Sequence, residues 1–340
     1  MDISKLFLKN FFTSIVFIAT FSFSDTFHIA TTGSDSTGSG SEENPFATIA
    51  YTASTSICLG TNGRDTLIVW PGTYNESDIS INGNPYYGPC YGQQHFYIAS
   101  SHGADSTFIH IDDQIYIAMG NSLIIDRLSI SNSGSIDQGL FGTYDGSYTI
   151  QNSLIIDSYI QDDGFMNAYY NTTLVNNSGS YDNVGPIMNN CILYNNNLEI
   201  SSDYGPFSWT LLWNNNLTYQ ITGTGIIEAN PLFCDPENGD YTLAENSPAV
   251  GAGENGVNMG AFGVGCGRIA QTIHVAITGS DETGDGSDSN PFATIEMASQ
   301  HVQQYYDEDY TNDAMGWTGS TVTDTILVHD GTYEIANLCH

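Results

Sequence analysis

Two oxygen-rich loops carry the most obvious candidate chemistry. Asp35-Ser-Thr-Gly-Ser-Gly-Ser-Glu-Glu43 and Asp281-Glu-Thr-Gly-Asp-Gly-Ser-Asp288 set carboxylates and hydroxyls on short glycine-bearing turns. Such donors suit calcium, and Asp35, Asp281, Asp285 and Asp288 are the expected ligands. Neither loop has the bidentate Glu that ends an EF-hand loop, and the competing role for the same aspartates is to cap the helix that follows. Asp112-Asp113 and Asp162-Asp163 are the adjacent carboxylate pairs that glycoside cleavage would call for. Neighbours on a strand face opposite ways, however, which argues against convergence on one bond. Arg127 follows Asp126 and reads as half of a local ion pair. Tyr194 and Trp213 could offer flat apolar faces to a sugar ring.

The elements that must position these residues repeat on two scales. On the long scale, residues 28–49 (HIATTGSDSTGSGSEENPFATI) recur as 274–295 (HVAITGSDETGDGSDSNPFATI), identical at 16 of 22 positions. A second matched block follows each, Asp65–Tyr74 (DTLIVWPGTY) and Asp324–Tyr333 (DTILVHDGTY). Repetition of this kind marks a module. The expected organisation is a full module over 25–270 and the start of another over 271–340. That second part holds too few strands for a complete core, so it is expected to pack loosely or to lean on the first.

On the short scale, Leu154–Asp157, Thr173–Asn176, Ile192–Asn195 and Leu211–Asn214 are apolar runs spaced 19 residues apart, each ending in Asp or Asn. Leu123–Asp126 looks like an earlier copy, displaced by an insertion. Short, Asn-ended runs between turns are strands, and a fixed period near 20 predicts stacked repeats with a ladder of identical side chains. Two parities are possible. The more uniform one points Ser153, Thr172, Cys191 and Thr210, with Ile155, Leu174, Leu193 and Leu212, inward. It leaves Tyr194 and Trp213 outside, one above the other. Residues 228–266 break the rhythm and are expected to form a terminal cap.

Composition narrows the setting. Lys5 and Lys9 precede an apolar run from Phe11 to Phe23, and Ser22 and Ser24 sit at the −3 and −1 positions, so residues 1–24 read as a secretory signal peptide. The protein is thus expected to be secreted or held at the cell surface, with no membrane insertion of the mature chain. Beyond residue 24, 37 carboxylates face Arg64, Arg127 and Arg268 alone. That balance excludes nucleic acid as a partner. Six cysteines in an exported chain predict disulfides: Cys234 with Cys266, then Cys58 with Cys90. Cys191 reads as a small buried filler, and Cys339 is expected to belong with the remainder of the second module.

Three motifs together resemble secreted bacterial right-handed parallel β-helix repeat proteins of the pectate-lyase-like superfamily. They are the GSDSTGSGSEENPFATI opening with its DTLIVWPGTY strand, the Asn-ended repeats, and the NPLFCDPENGDYTL…SPAVGAG…MGAFG close. They cover nearly all of 25–266. The resemblance implies an all-β, right-handed parallel β-helix (a solenoid) with a short N-terminal capping helix beginning near Pro45–Ile49. Polysaccharide lyases of this kind use Lys- and Arg-rich clefts, and related pectin hydrolases carry Gly-His-Gly and a basic tripeptide. This chain has Ser101-His102-Gly103 ahead of Asp162 and no basic tripeptide. The expectation is therefore non-catalytic binding of a polysaccharide or cell-surface glycan, or adhesion. The alternatives are a lyase or glycosidase, and a structural surface spacer.

Overall fold

The structure is a computed structural model and describes residues 25–56, 64–81, 95–118, 120–133, 139–143, 146–162, 167–181, 185–200, 206–310 and 323–333. The chain is all-β, with most strands in stacked parallel sheets, an arrangement consistent with a β-solenoid. The first sheet orders eight strands from Thr26–Ile29 and Arg64–Val69 through Ser147–Gln151 to Phe207–Ser208. The second runs from Gly72–Glu76 to Ile227–Glu228, also with eight strands. The third is split into Ile79–Ile81, Ile115–Ile117 and Phe141–Thr143, then Tyr159–Asp162, Ser178–Tyr181, Asn197–Ile200 and Asn216–Leu217. From Ser147 onward each 19-residue repeat gives one strand to each sheet. Thr149 pairs with Ala168, Ile155 with Leu174 and Ile160 with Gly179.

Single left-handed residues turn the corners. Asn152, Asn171 and Asn190 lie between the first and second sheets, and Asp157, Asn176, Asn195 and Asn214 between the second and third, all with φ between 47° and 58°. Asn and Asp adopt this conformation at lower cost than other side chains, which explains their period. The next residue turns inward. Asn177 and Asn196 are almost completely buried, and each Oδ1 accepts the backbone N–H of the residue one repeat earlier: Ser158 N–H to Asn177 at 3.0 Å and Asn177 N–H to Asn196 at 2.9 Å. Their amides donate to Ile155 O and Leu174 O. A buried amide left without partners is costly, and here each amide's spacing supplies partners on both sides.

The interior takes the row Ser153, Thr172, Cys191 and Thr210, with Ile155, Leu174, Leu193 and Leu212. The outer row of the second sheet is covered as well. Leu154, Val175, Ile192 and Leu211 form a second cluster with Phe233, Tyr241, Leu243, Ala249 and Met259. Of residues 228–266, expected as a cap over the end, Glu228 belongs to the sheet's last strand, and the segment from Phe233 to Phe262 lies along the outer face of the second sheet across four repeats. Gly260 approaches the sheet closely. Its N–H donates to Asn190 O at 2.7 Å, and a Cβ there would fall 2.7 Å from Ile192 Cδ1. Leu123–Asp126 also needs correction. It belongs to Ser122–Asp126 of the first sheet and pairs with Tyr148–Gln151, whereas the strand before Leu154–Ile156 is Ser129–Asn132, 25 residues back. Its Asp126 is still in the strand and the left-handed corner falls on Arg127, whereas in the second-sheet runs the terminal Asp157 or Asn is itself the corner.

The helix Ile49–Ser56 closes the first opening block, with Ile49 and Ala53 in the main core. The second opening block pairs Thr272–Val275 with Thr325–Val328, carries the helix Ile295–Tyr310, and has its own small core of Ile273, Val275, Phe292 and Ala298. Among the described residues, no helix is long and apolar enough to cross a membrane.

Candidate functional site

Trp213 and Tyr194 are held by adjacent strands of the second sheet, paired directly with each other across the ladder. Both point outward, but neither is free. Tyr194 packs edge-to-face on Phe233, with ring centroids 5.3 Å apart, and Phe233 in turn packs on Tyr241 at the same separation. Burial pushes the Tyr241 hydroxyl above its ordinary value, aided by Asp157 and Tyr194 nearby. The covering segment is fastened by the disulfide Cys234–Cys266. The expected open aromatic stack is thus reduced to its Trp213 end.

Beside Trp213 opens a cleft of about 660 Å³ between the covering segment and the second opening block. Trp213, Leu232 and Pro248 line one side; His274, Asp288 and His301 line the other. The two sides are tied by the buried ion pair of Arg268 with Asp324 and by Asn246, which exchanges hydrogen bonds with the backbone of Ile269. Burial lowers the proton affinity of His301, against the pull of Asp324 and Asp285. A neutral imidazole, an indole face and carboxylates around such a volume suit a polar ligand with apolar faces.

The aspartates of the oxygen-rich loops divide by role. Asp35 accepts the N–H groups of Ala47 and Thr48 at 2.8 and 3.1 Å and the Thr48 hydroxyl at 2.8 Å. Asp281 repeats these bonds with Ala293 and Thr294. Asp285 accepts the Ser287 N–H. Asp288 alone meets other metal-ligating groups. Its Oδ1 lies 3.2 Å from His274 Nδ1 and 3.5 Å from His329 Nε2, and the two ring nitrogens are 3.1 Å apart. Sequence reasoning missed both histidines, although the alignment of the opening blocks sets His329 against Trp70.

The residues considered for catalysis are dispersed. Asp112 and Asp113 are exposed on a turn, with Asp112 3.7 Å from His110, whose Nδ1 lies 2.9 Å from Ser131 Oγ. Asp126 accepts hydrogen bonds from Arg127 Nε at 3.2 Å, Asn152 Nδ2 at 2.8 Å and the Tyr97 hydroxyl. That makes it a corner tie on the first sheet. Burial pushes the Cys191 thiol up to about 12, so it is an inert filler. Cys58, Cys90, Cys339 and Asp163 lie outside the described residues. The chain matches no known family model and none of the curated proteins.

Proposed function

We propose that the chain is a right-handed parallel β-helix protein of the pectate-lyase-like superfamily, secreted or held at the cell surface, that binds a glycan without cleaving it. The cleft beside Trp213 carries this reading, since it sets an indole face against carboxylate and imidazole groups that could bond sugar hydroxyls. The 19-residue register and the Asn corners support the fold, and the Cys234–Cys266 bond fits an oxidising compartment. Asp35, Asp126 and Asp281 serve structure, each engaged by backbone groups or corner side chains.

The test is retention of the purified chain on acidic and neutral polysaccharides, with and without calcium, while mass spectrometry follows any released oligosaccharide. Retention without release is expected, weakened roughly tenfold by Trp213→Ala, the equivalent of about 1.4 kcal/mol. Release of shortened or unsaturated products would replace this reading with an enzyme. No retention at all would leave the surface spacer, which the duplication of the opening block also favours.

A further inference from the structure

We infer that His274, Asp288 and His329 form a three-ligand site for a divalent transition-metal ion, with zinc the best fit. The argument begins with donor spacing. Nitrogen and oxygen donors bind zinc at about 2.0–2.2 Å, so two donors of one tetrahedral ion lie about 3.3–3.5 Å apart. The three donor atoms here are separated by 3.1, 3.2 and 3.5 Å. Hydrogen bonding alone accounts less well for such a triangle. A proton between the two imidazoles serves one edge, and each nitrogen still faces the same carboxylate oxygen. An ion at the centre serves all three donors.

The chemistry of the donors selects the ion. Two imidazoles with one carboxylate suit zinc and its neighbours, whereas calcium and magnesium call for oxygen shells. The site is therefore distinct from a calcium loop, and of the four aspartates on those loops only Asp288 takes part. Three protein ligands leave a fourth position for water or an incoming donor. His274 and Asp288 both line the cleft beside Trp213, so such a donor could belong to a ligand held there.

The first opening block is an internal control. His28, Glu42 and Trp70 occupy the three corresponding places, and the backbone around them is the same. His28 N–H donates to Gly40 O at 2.8 Å and His274 N–H to Gly286 O at 2.7 Å. Trp70 N–H and His329 N–H each donate 2.9 Å to the equivalent carbonyls of Ile29 and Val275. The difference lies in the side chains. Trp70 Nε1 donates to His28 Nδ1 at 3.3 Å, with the rings edge-on at 86°, and so consumes the lone pair that a metal would need. In the second block the rings tilt by 33° with centroids 5.3 Å apart, and both nitrogens turn to Asp288. The bound ion would link residues 274, 288 and 329 across a sheet that has two strands among the described residues, where a cross-link matters most.

Calorimetric titration of the chelator-treated full chain with zinc chloride, alongside calcium chloride, tests the inference. Expected are one zinc per chain, no comparable calcium heat at the same site, and a tetrahedral visible spectrum with cobalt. His329→Trp installs the residue the first block already accommodates, and should abolish the site with the fold retained by circular dichroism. His329→Gln is the second variant should the indole not fit. Asp288→Asn should weaken binding at least tenfold, and His28→Ala should leave it unchanged. The reciprocal pair Glu42→Asp with Trp70→His should raise the stoichiometry to two. The inference is overturned if the intact chain binds no zinc, or if His329→Trp and His329→Gln both bind as it does.

Discussion

The two opening blocks share sequence, hydrogen bonds and a capping aspartate, yet they sit in different surroundings. The first continues into a stack of eight parallel strands and shares the main core. Among the described residues the second is a two-stranded sheet with four buried apolar side chains in its core cluster, attached through Arg268 and Asn246. Asp65 and Asp324 occupy the same place in the two blocks. Asp65 accepts the Asp25 N–H at 3.2 Å, and burial raises its carboxyl above its ordinary value. Asp324 accepts the Gln271 N–H and meets a buried guanidinium. A motif can thus keep its backbone while the source of its stability moves from neighbouring strands to a charge pair.

The largest effect should come from separating that pair. Asp324→Asn breaks the buried ion pair with Arg268, and breaking such a pair by removing one partner typically costs about 3–5 kcal/mol. Asp65→Asn removes a carboxylate that burial already disfavours, and should cost about 1 kcal/mol. Amide hydrogen exchange should show Thr272–Val275 and Thr325–Val328 losing protection in the first variant, with Thr26–Ile29 and Arg64–Val69 little changed in the second. Equal losses would mean that the surroundings do not matter and the motif is self-sufficient.

A smaller effect should be nearly the same in both blocks. Asp35→Ala and Asp281→Ala each remove an acceptor that holds two backbone N–H groups and a threonine hydroxyl at the start of a helix. Helix caps of this kind are worth about 1–2 kcal/mol. The loss should appear in chelator as fully as in calcium, measured by urea unfolding for Asp35 and by exchange of Ile295–Tyr310 for Asp281. A loss that appears only in calcium would return these aspartates to a metal-binding role.

Much of this was legible because the constraints act locally. Asn at a left-handed corner and an inward amide one residue later recur every 19 residues, so the period is written directly in residue type. Strand parity was harder, because the covering segment buries the outer face of the second sheet too, and both rows then read as apolar. Leu123–Asp126 imitates the second-sheet runs by composition alone: its Asp126 is the last residue of a first-sheet strand, opposite Gln151, and the left-handed corner after it falls on Arg127. Parity alone points Tyr194 and Trp213 outward, but nothing in their own repeats announces Phe233 packed on Tyr194. The histidine pair was hidden by distance. His274 and His329 are 55 positions apart, and their meeting depends on the pairing of two strands.

Glu76 offers the finest distinction between the blocks. It is buried on the second sheet's first strand and accepts the N–H groups of Ile49 and Ala50 at 2.7 and 3.2 Å, anchoring the first helix to the stack. The second block has Ile335 at the matching place in the sequence. Burial raises the Glu76 carboxyl above its ordinary value, and the two N–H donors only partly oppose this. A raised value in the folded state means that folding favours the protonated form. Its contribution is therefore fully present below the ordinary carboxylate value, about 4.3, and is lost as pH rises through the higher folded value. Glu76→Gln carries no such proton. The stability of the native chain relative to this variant should fall as pH rises through that window and level off above it, read from denaturant unfolding at closely spaced pH. A difference that instead grew with pH would mean that the backbone donors at the helix start outweigh burial, and that ionised Glu76 is what holds the first block to its stack.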